Sequence, residues 1–265
     1  MLNATSDDIR QLVEDLQLNE GATVMTIWAH PDDESFLAGG LMIAAAGRGA
    51  RVVNVTATLG ELGTDDPDRW TPRRLGDRRR EELADALALL GDAELETLGV
   101  PDGSCDVVHD RMGARLVASL LEHHRPDVIV TFGPDGVTGH PDHQAVGRWT
   151  DLAADGYDSS IPVFHVATAA AWPADLIERM HRSNAFFPGY PERARRRTDH
   201  LLVLDDDTLD QKLAALDCHR SQVGPLRDEL GPRGYRELFR HEAYRPANAA
   251  ALGRTPTPSK LAPVA

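Results

Sequence analysis

Thr23-Val24-Met25-Thr26-Ile27-Trp28-Ala29, followed at once by His30-Pro31-Asp32-Asp33-Glu34 and then by Ser35-Phe36-Leu37-Ala38-Gly39-Gly40, decides how the chain is to be read. The first seven residues are rich in β-branched and apolar side chains, which predicts a strand buried on both faces. Residues 35–47 then read as a helix that stops at a glycine. Working outward, the same alternation recurs. Residues 51–58 read as a strand and 72–90 as a helix closed by Gly91. Residues 94–98 form a short strand, ended by the turn Pro101-Asp102-Gly103. Residues 112–124 are helical, 127–132 a strand and 141–154 again helical, with further strands at 163–168 and 201–204. Strands alternating with helices predict an α/β fold whose central sheet is mostly parallel and covered by helices on both faces. Ligands of such sheets sit outside the carboxyl ends of the strands. The loops after Ala29, Thr58, Leu98 and Phe132 are therefore where chemistry is expected.

The chain has 265 residues, a net charge of −14 and two cysteines. This length suits one large domain, assigned to residues 1–245. Residues 1–20 hold an appended helix, in which Ser6 and Asp7 precede Ile9, Leu12, Val13 and Leu16. Residues 172–197, with Phe186-Phe187-Pro188-Gly189-Tyr190-Pro191 and a run of arginines, read as an excursion and a candidate lid. Residues 246–265, dominated by Ala, Pro, Thr and Gly, read as a mobile tail. The acidic excess repels a phosphate backbone and excludes nucleic acid as the main partner. Lysine occurs only at Lys212 and Lys260, a bias ascribed to genome composition. Cys105 and Cys218 are too few to staple the fold and lack CxxC spacing, which predicts a reduced, cytoplasmic protein. No apolar run approaches the roughly 18 residues of a membrane span, and the N-terminal residues lack a secretory pattern.

Two clusters fall where the fold rule places function: Ala29-His30-Pro31-Asp32-Asp33-Glu34, and Gly139-His140-Pro141-Asp142-His143. Each leads into a helix, so His30 with Asp33, and His140 with His143, project from one side of a first turn. Imidazole nitrogen and carboxylate oxygen are the donors that a borderline cation such as Zn²⁺ accepts, and a catalytic zinc takes three protein ligands with one position left for water. A single His-Pro-Asp start is explained as well by a capped helix with proline at its first position. Two of them at the carboxyl ends of strands point to a metal site. The other histidines, His109, His123, His124, His165, His181, His200 and His241, read as surface or packing residues.

These clusters resemble the signatures of the LmbE-like, or PIG-L-type, de-N-acetylases. Further shared features are Gly39-Gly40, Gly60-Glu61, Arg79-x-x-Glu82, Leu98-Gly99-Val100-Pro101-Asp102-Gly103 and His219-Arg220-Ser221-Gln222. The resemblance spans roughly residues 23–222 and implies a Rossmann-like three-layer fold. It implies that His30, Asp33 and His143 bind one zinc per chain, with Fe²⁺ or another divalent ion as an alternative. Asp32 corresponds to the general base and His140 to the group that stabilises or protonates the tetrahedral intermediate. Asp142 corresponds to a carboxylate that orients a histidine. Arg79 and Asp102 match positions that hold the sugar, with Arg78 as a neighbour that a shifted alignment would substitute, and Glu61 is grouped with them. His219 belongs to a motif that approaches the site, although it also reads as a helix end. The implied activity is zinc-dependent removal of an acetyl group from an N-acetylglucosamine-type conjugate. The implied partner is a small-molecule amidated sugar or glycoconjugate, with no nucleic acid or membrane and with a homo-oligomer left open.

Three alternatives compete. An amidase acting on a mycothiol-type thiol S-conjugate keeps the metal and changes the acyl group. A two-histidine, one-carboxylate iron oxygenase uses similar ligands but is usually built on an all-β barrel. A non-enzymatic α/β ligand-binding domain leaves the double cluster unexplained. The chain has no GxxxxGK[ST] loop, no GxSxG elbow and no GxGxxG after the first strand, which disfavours nucleotide enzymes and serine hydrolases.

Overall fold

A computed structural model describes residues 20–167, 174–187 and 200–247. In chain order the elements are β1 (Thr23–Trp28), α1 (Asp33–Ala46), β2 (Arg51–Thr56), α2 (Pro72–Leu89) and β3 (Glu94–Thr97), then α3 (Asp110–His124), β4 (Val128–Phe132), α4 (Pro141–Tyr157) and β5 (Val163–Ala167). They are followed by α5 (Ala174–Arg182), β6 (His200–Val203), α6 (Asp206–Leu216), α7 (Gly224–Phe239) and β7 (His241–Pro246). The seven strands form one sheet in the order β3-β2-β1-β4-β5-β7-β6. Neighbours from β3 to β5 are parallel, and β7 runs antiparallel to both β5 and β6. The α/β expectation holds, with an antiparallel edge added.

The strand order places the site. From β1 the chain moves outward to β2 and β3, then returns to lay β4 on the other side of β1. Right-handed crossovers running in opposite directions put α1 and α4 on opposite faces. The loops after β1 and β4 thus separate and open a crevice at the carboxyl edge. All six residues of β1 are buried, as a central parallel strand requires. The Trp28 ring meets the Phe132 ring edge-on, with centroids 5.2 Å apart, and locks β1 to β4 beneath the crevice. On the α4 side, a Cβ at Gly113 would lie 2.1 Å from a ring carbon of the buried Trp149, so only glycine lets α3 close on α4.

Three features differ from the expected pattern. β7 continues through Pro246, and the Ala247 N–H donates to the Val163 carbonyl at 2.8 Å, so the sheet reaches past the expected start of the tail at 246. α6 and α7, which carry no strong apolar periodicity, fill the stretch between β6 and β7. Within the expected lid, residues 174–187 are described and carry α5, whereas 172–173 and 188–197, the expected helix in 1–20 except at its last position, and 248–265 lie outside the described residues.

β7 also brings in a buried charge. Glu242 receives Lys212 Nζ at 2.6 Å, the Tyr244 hydroxyl at 2.6 Å, and the backbone N–H groups of Gly40 and Leu41 at 2.7 and 3.0 Å. Lys212 and Tyr244 are fully buried and Glu242 nearly so. The cluster ties α6, β7 and the middle of α1 together. Removing one partner from such a pair leaves an uncompensated interior charge, so Lys212→Met should cost roughly 3–5 kcal/mol. Urea unfolding followed by tryptophan fluorescence measures the loss, and an unchanged midpoint would show that the pair contributes nothing.

Candidate active site

The first loop begins where β1 ends. The Asp33 carboxylate caps it by accepting the His30 N–H through Oδ2 at 2.8 Å, which turns the chain sharply into α1. Asp32 sits at this turn with φ 116° and ψ −31°, a backbone conformation that side-chain-bearing residues rarely adopt. Its N–H is accepted by Glu34 Oε2 at 3.0 Å. Glu34 Oε1 in turn lies 2.9 Å from His219 Nε2 and receives the Ser35 hydroxyl at 2.6 Å. Glu34 and His219 are wholly buried. Burial opposes charge on both, but their mutual attraction holds the Glu34 pKa below its ordinary value and the His219 pKa above its own. His219 thus props the Asp32 loop from behind and does not line the cavity.

The second loop begins where β4 ends and makes a single turn, Gly136–Gly139, in which Val137 has φ 63°. This is strained for a β-branched residue. The turn delivers two histidines with opposite hydrogen-bonding arrangements. His143 Nδ1 donates to the Gly136 carbonyl at 2.9 Å, which leaves Nε2 with its lone pair exposed. His140 Nδ1 accepts the Asp142 N–H at 3.1 Å, which leaves Nε2 to carry the proton when the ring is neutral.

These loops converge on His30. Its Nε2 faces Asp102 Oδ1 at 3.1 Å and Asp142 Oδ2 at 3.3 Å, so the proton belongs there and Nδ1 presents a lone pair. That Nδ1 lies 3.1 Å from His143 Nε2. The Asp33 oxygens complete the triangle, Oδ1 at 3.4 Å from His143 Nε2 and Oδ2 at 3.7 Å from His30 Nδ1. Two imidazole nitrogens and a carboxylate that converge on one point suit a cation between them, or a proton on His30 Nδ1 in its place. Donors about 2.0–2.1 Å from a tetrahedral zinc are about 3.3–3.4 Å from one another, which is the spacing of this triangle. The donor set fits a metal ion. His140 also brings a ring nitrogen within 4.8 Å of those of His30 and His143, and Asp102 and Asp142 do the same around His30. Of these, Asp102 and Asp142 stand on the protonated face of His30.

The electrostatics agree. Burial lowers the His30 pKa, but hydrogen bonds to Asp102 and Asp142 and the charge of Asp33 outweigh it and raise it to about 10. In the metal-free site this imidazolium supplies the missing cation. Burial and that neighbouring charge push His143 down to about 3 and His140 to about 4. His140, expected to act as a cation if charged, is therefore neutral at physiological pH. Burial raises Asp32 to about 6 against the pull of Arg79. Burial would raise Asp102 as well, but its hydrogen bond with His30 holds it at about 2.

Among the other expected residues, Asp142 places Oδ2 3.3 Å from His30 Nε2 and is itself fixed by the N–H groups of Gly103 and Cys105 at 2.8 and 3.0 Å. Arg79 and Asp102 line the cavity, with the terminal guanidinium nitrogens of Arg79 and both carboxylate oxygens of Asp102 engaged on the protein and Arg79 Nε without a partner among the described residues. Arg79 donates to Asp32 Oδ2 at 3.1 Å and to the Pro31 and Gly60 carbonyls. Gly60 is required there, because a Cβ would fall 2.2 Å from the guanidinium. Asp102 Oδ2 accepts the Leu62 N–H at 2.9 Å. Glu61 stands behind Asp102, accepting its N–H at 3.0 Å, and does not line the cavity. Arg78 points away, to Glu81 and Glu82. His241, read as a packing residue, lines the cavity, whereas His124 and His165 pair with Glu96 and Asp151. Sequence reasoning missed the Glu34–His219 pair. Its signal was the third acidic residue of the first cluster, which needs a buried cation of its own.

Residues 25–154 match the family model described as PIG-L: GlcNAc-PI de-N-acetylase. The chain is 32% identical over 229 residues to 1D-myo-inositol 2-acetamido-2-deoxy-alpha-D-glucopyranoside deacetylase 2 of Saccharopolyspora erythraea, covering 75% of this chain and 83% of that protein. Its fold is similar to that of N,N'-diacetylchitobiose deacetylase from Pyrococcus horikoshii, with a TM-score of 0.64 at 18% identity over 98% of each chain. It is also similar in fold to 4-carboxy-2-hydroxymuconate hydratase from Pseudomonas putida, with a TM-score of 0.62 at 20% identity over 86% of this chain and 96% of that one.

Because His30 holds a proton up to about pH 10 in the metal-free protein, a divalent ion must displace it. Titrating metal-free protein with Zn²⁺ near pH 8 should release about one proton per ion, and affinity should weaken by about tenfold per unit as pH falls toward 7. Calorimetry in buffers of different ionisation enthalpy reads the proton count. Buffer-independent enthalpy would remove His30 as the displaced acid.

Proposed function

The chain belongs to the PIG-L-type de-N-acetylase family, and on that premise we propose that it is a metal-dependent hydrolase removing the acetyl group of an N-acetylglucosamine-type sugar conjugate. One observation carries the reading: His30, Asp33 and His143 present a three-donor triangle while Asp32, adjacent in sequence, stays out of it. We assign those three as the metal ligands and zinc as the native ion, since two imidazoles and a carboxylate with an open position are the ligands of catalytic zinc. When bound, such an ion supplies a Lewis acid for the amide carbonyl and a water of lowered pKa.

The chain's own residues do the proton work. Asp32, with a pKa of about 6, is ionised near neutrality and accepts the proton of the attacking water. Arg79 keeps that carboxylate in place. Neutral His140 donates its Nε2–H to the oxygen on which negative charge develops, its tautomer set by the Asp142 N–H. Asp32 then returns the proton to the departing amine as the C–N bond breaks. Arg79 and Asp102, at the cavity wall, remain the proposed sugar-side contacts. Among the described residues no helix is long and apolar enough to cross a membrane. Free Cys105 and Cys218 support a reducing, cytoplasmic setting.

Asp32→Asn should retain the metal and lose about 10²- to 10⁴-fold in turnover, measured as acetate released from N-acetylglucosamine conjugates alongside metal content. Normal turnover in that variant would remove the general-base role. In the wild type, kcat/KM should fall below about pH 6, because Asp32 protonates there and can no longer accept a proton. A profile flat down to pH 5 would contradict the assignment.

A further inference from the structure

The cavity over the histidine cluster holds about 540 Å³, within the range of pockets that enclose a whole drug-sized molecule. Its walls differ in character. The metal-side residues come from the loops after β1 and β4. Facing them are Phe36 and Leu37 on α1, Met180 on α5, and Leu226, Leu238 and Phe239 on α7. The Phe36 and Phe239 rings pack together at 5.3 Å, making this wall continuous across two helices. At the rim stands Phe187, 41% exposed, its ring edge-on to His140 with centroids 5.0 Å apart and its N–H held by the Thr138 carbonyl at 2.9 Å. Among the described residues, polar groups on this side are few. Ser183 spends its hydroxyl on the Met180 carbonyl, Gln222 its amide N–H groups on the Gly63 carbonyl and the Ser221 hydroxyl, and Asn184 lies at the exposed rim, while His241 also lines the cavity.

We propose that this apolar wall receives an alkyl or aryl group carried by the substrate beyond its amide-bearing ring, so that the preferred substrates are N-acyl amino sugars with an apolar substituent and not polyol conjugates. The inference rests on the deacetylase reading above. Its physical basis is twofold. Hydroxyls of a polyol set against Phe36, Leu226, Leu238 and Phe239 would give up water without gaining partners. An alkyl or aryl group would instead cover those side chains and Phe187, removing apolar surface from water on both sides of the contact. Attachment to the sugar and attachment to the acyl carbon are separable by ligand choice.

Full-length, zinc-loaded Asp32→Asn protein, which binds without turning over, is titrated calorimetrically with N-acetylglucosamine, octyl N-acetyl-β-D-glucosaminide, N-octanoylglucosamine and N-octylacetamide. Expected is binding of at least one octyl sugar on the order of tenfold or more tighter than N-acetylglucosamine. The octyl glycoside leading places the apolar group on the sugar, and the octanoyl amide leading places it on the acyl side. Equal binding of all three sugars, with wild-type protein still releasing acetate, overturns the apolar-substituent proposal and leaves the deacetylase reading intact. N-octylacetamide binding as tightly as the octyl sugars supports the apolar wall while removing the sugar from the reading. Failure of every ligand to bind overturns both.

Discussion

Two imidazole nitrogens, His30 Nδ1 and His143 Nε2, face each other across 3.1 Å, and this juxtaposition organises the molecule around it. Neither ring is free to relax it. His143 is pinned through Nδ1 to the Gly136 carbonyl and through its face to Phe132, stacked at 4.2 Å. His30 is pinned through Nε2 to Asp102 and Asp142, of which Asp102 is anchored by the Leu62 N–H from the loop after β2 and Asp142 by the Gly103 and Cys105 N–H groups of the loop after β3. Three strand ends, β1, β3 and β4, therefore cooperate to hold one point in space, and only the reversal of strand order around β1 brings them together.

Holding that point has costs, and the fold absorbs them locally. Asp32 and Val137 occupy left-handed backbone conformations on either side of the site, each costing of order 1–3 kcal/mol. Strain of this kind persists only where the surroundings over-determine it. Around Asp32 they do: Glu34 holds its N–H, Arg79 its carboxylate and the preceding carbonyl of Pro31. Glu34 could not be buried there unpaired, and His219, arriving from the end of α6, neutralises it. Ser221, two residues on, fastens the same segment to Glu82 on α2 through its N–H and its hydroxyl. The accessory residues near the C-terminal end thus serve the backbone of the first loop. A similar logic operates deeper, where Glu242 takes two backbone N–H groups of α1 and Lys212 offsets its charge.

How much was legible in the sequence follows from the range of the interactions concerned. β1, β4 and the helices after them were readable because buried parallel strands are continuously apolar and His-Pro-Asp starts are local signals. The two clusters were readable because they lie within a few residues of those strand ends. The role of Asp102 was not, because it depends on β3 sitting next to β2, which brings residue 102 to the far side of a ring at residue 30. The neutral state of His140 was equally hidden, since it follows from burial and from the charge on His30. β7 escaped because His241-Glu242-Ala243-Tyr244-Arg245-Pro246 lacks apolar alternation; its buried glutamate is explained only by Lys212 and the backbone of α1. The expected N-terminal helix, but for its last position, and residues 172–173 and 188–197 of the candidate lid fall outside the described residues.

The likeness in fold to both a deacetylase and a hydratase means that the sheet by itself does not choose a reaction. The choice lies in how protons are distributed among residues in the loops at the sheet edge. Asp32 and Asp33 are chemically identical neighbours, yet Asp33 faces two histidines, whereas Asp32 faces Arg79 and keeps a carboxyl able to titrate near pH 6. His140 and His143 are likewise separated by three residues and by which nitrogen the backbone claims: a carbonyl takes the proton of one ring, and an N–H takes the lone pair of the other. Side-chain partners for the aspartates and main-chain hydrogen bonds for the histidines thus give two like pairs four different settings, which the proposed roles of ligand, base, ligand and donor would use. Amide hydrolysis needs all four at one place, since water must lose a proton, the carbonyl oxygen must be stabilised and the amine must gain a proton before it can leave.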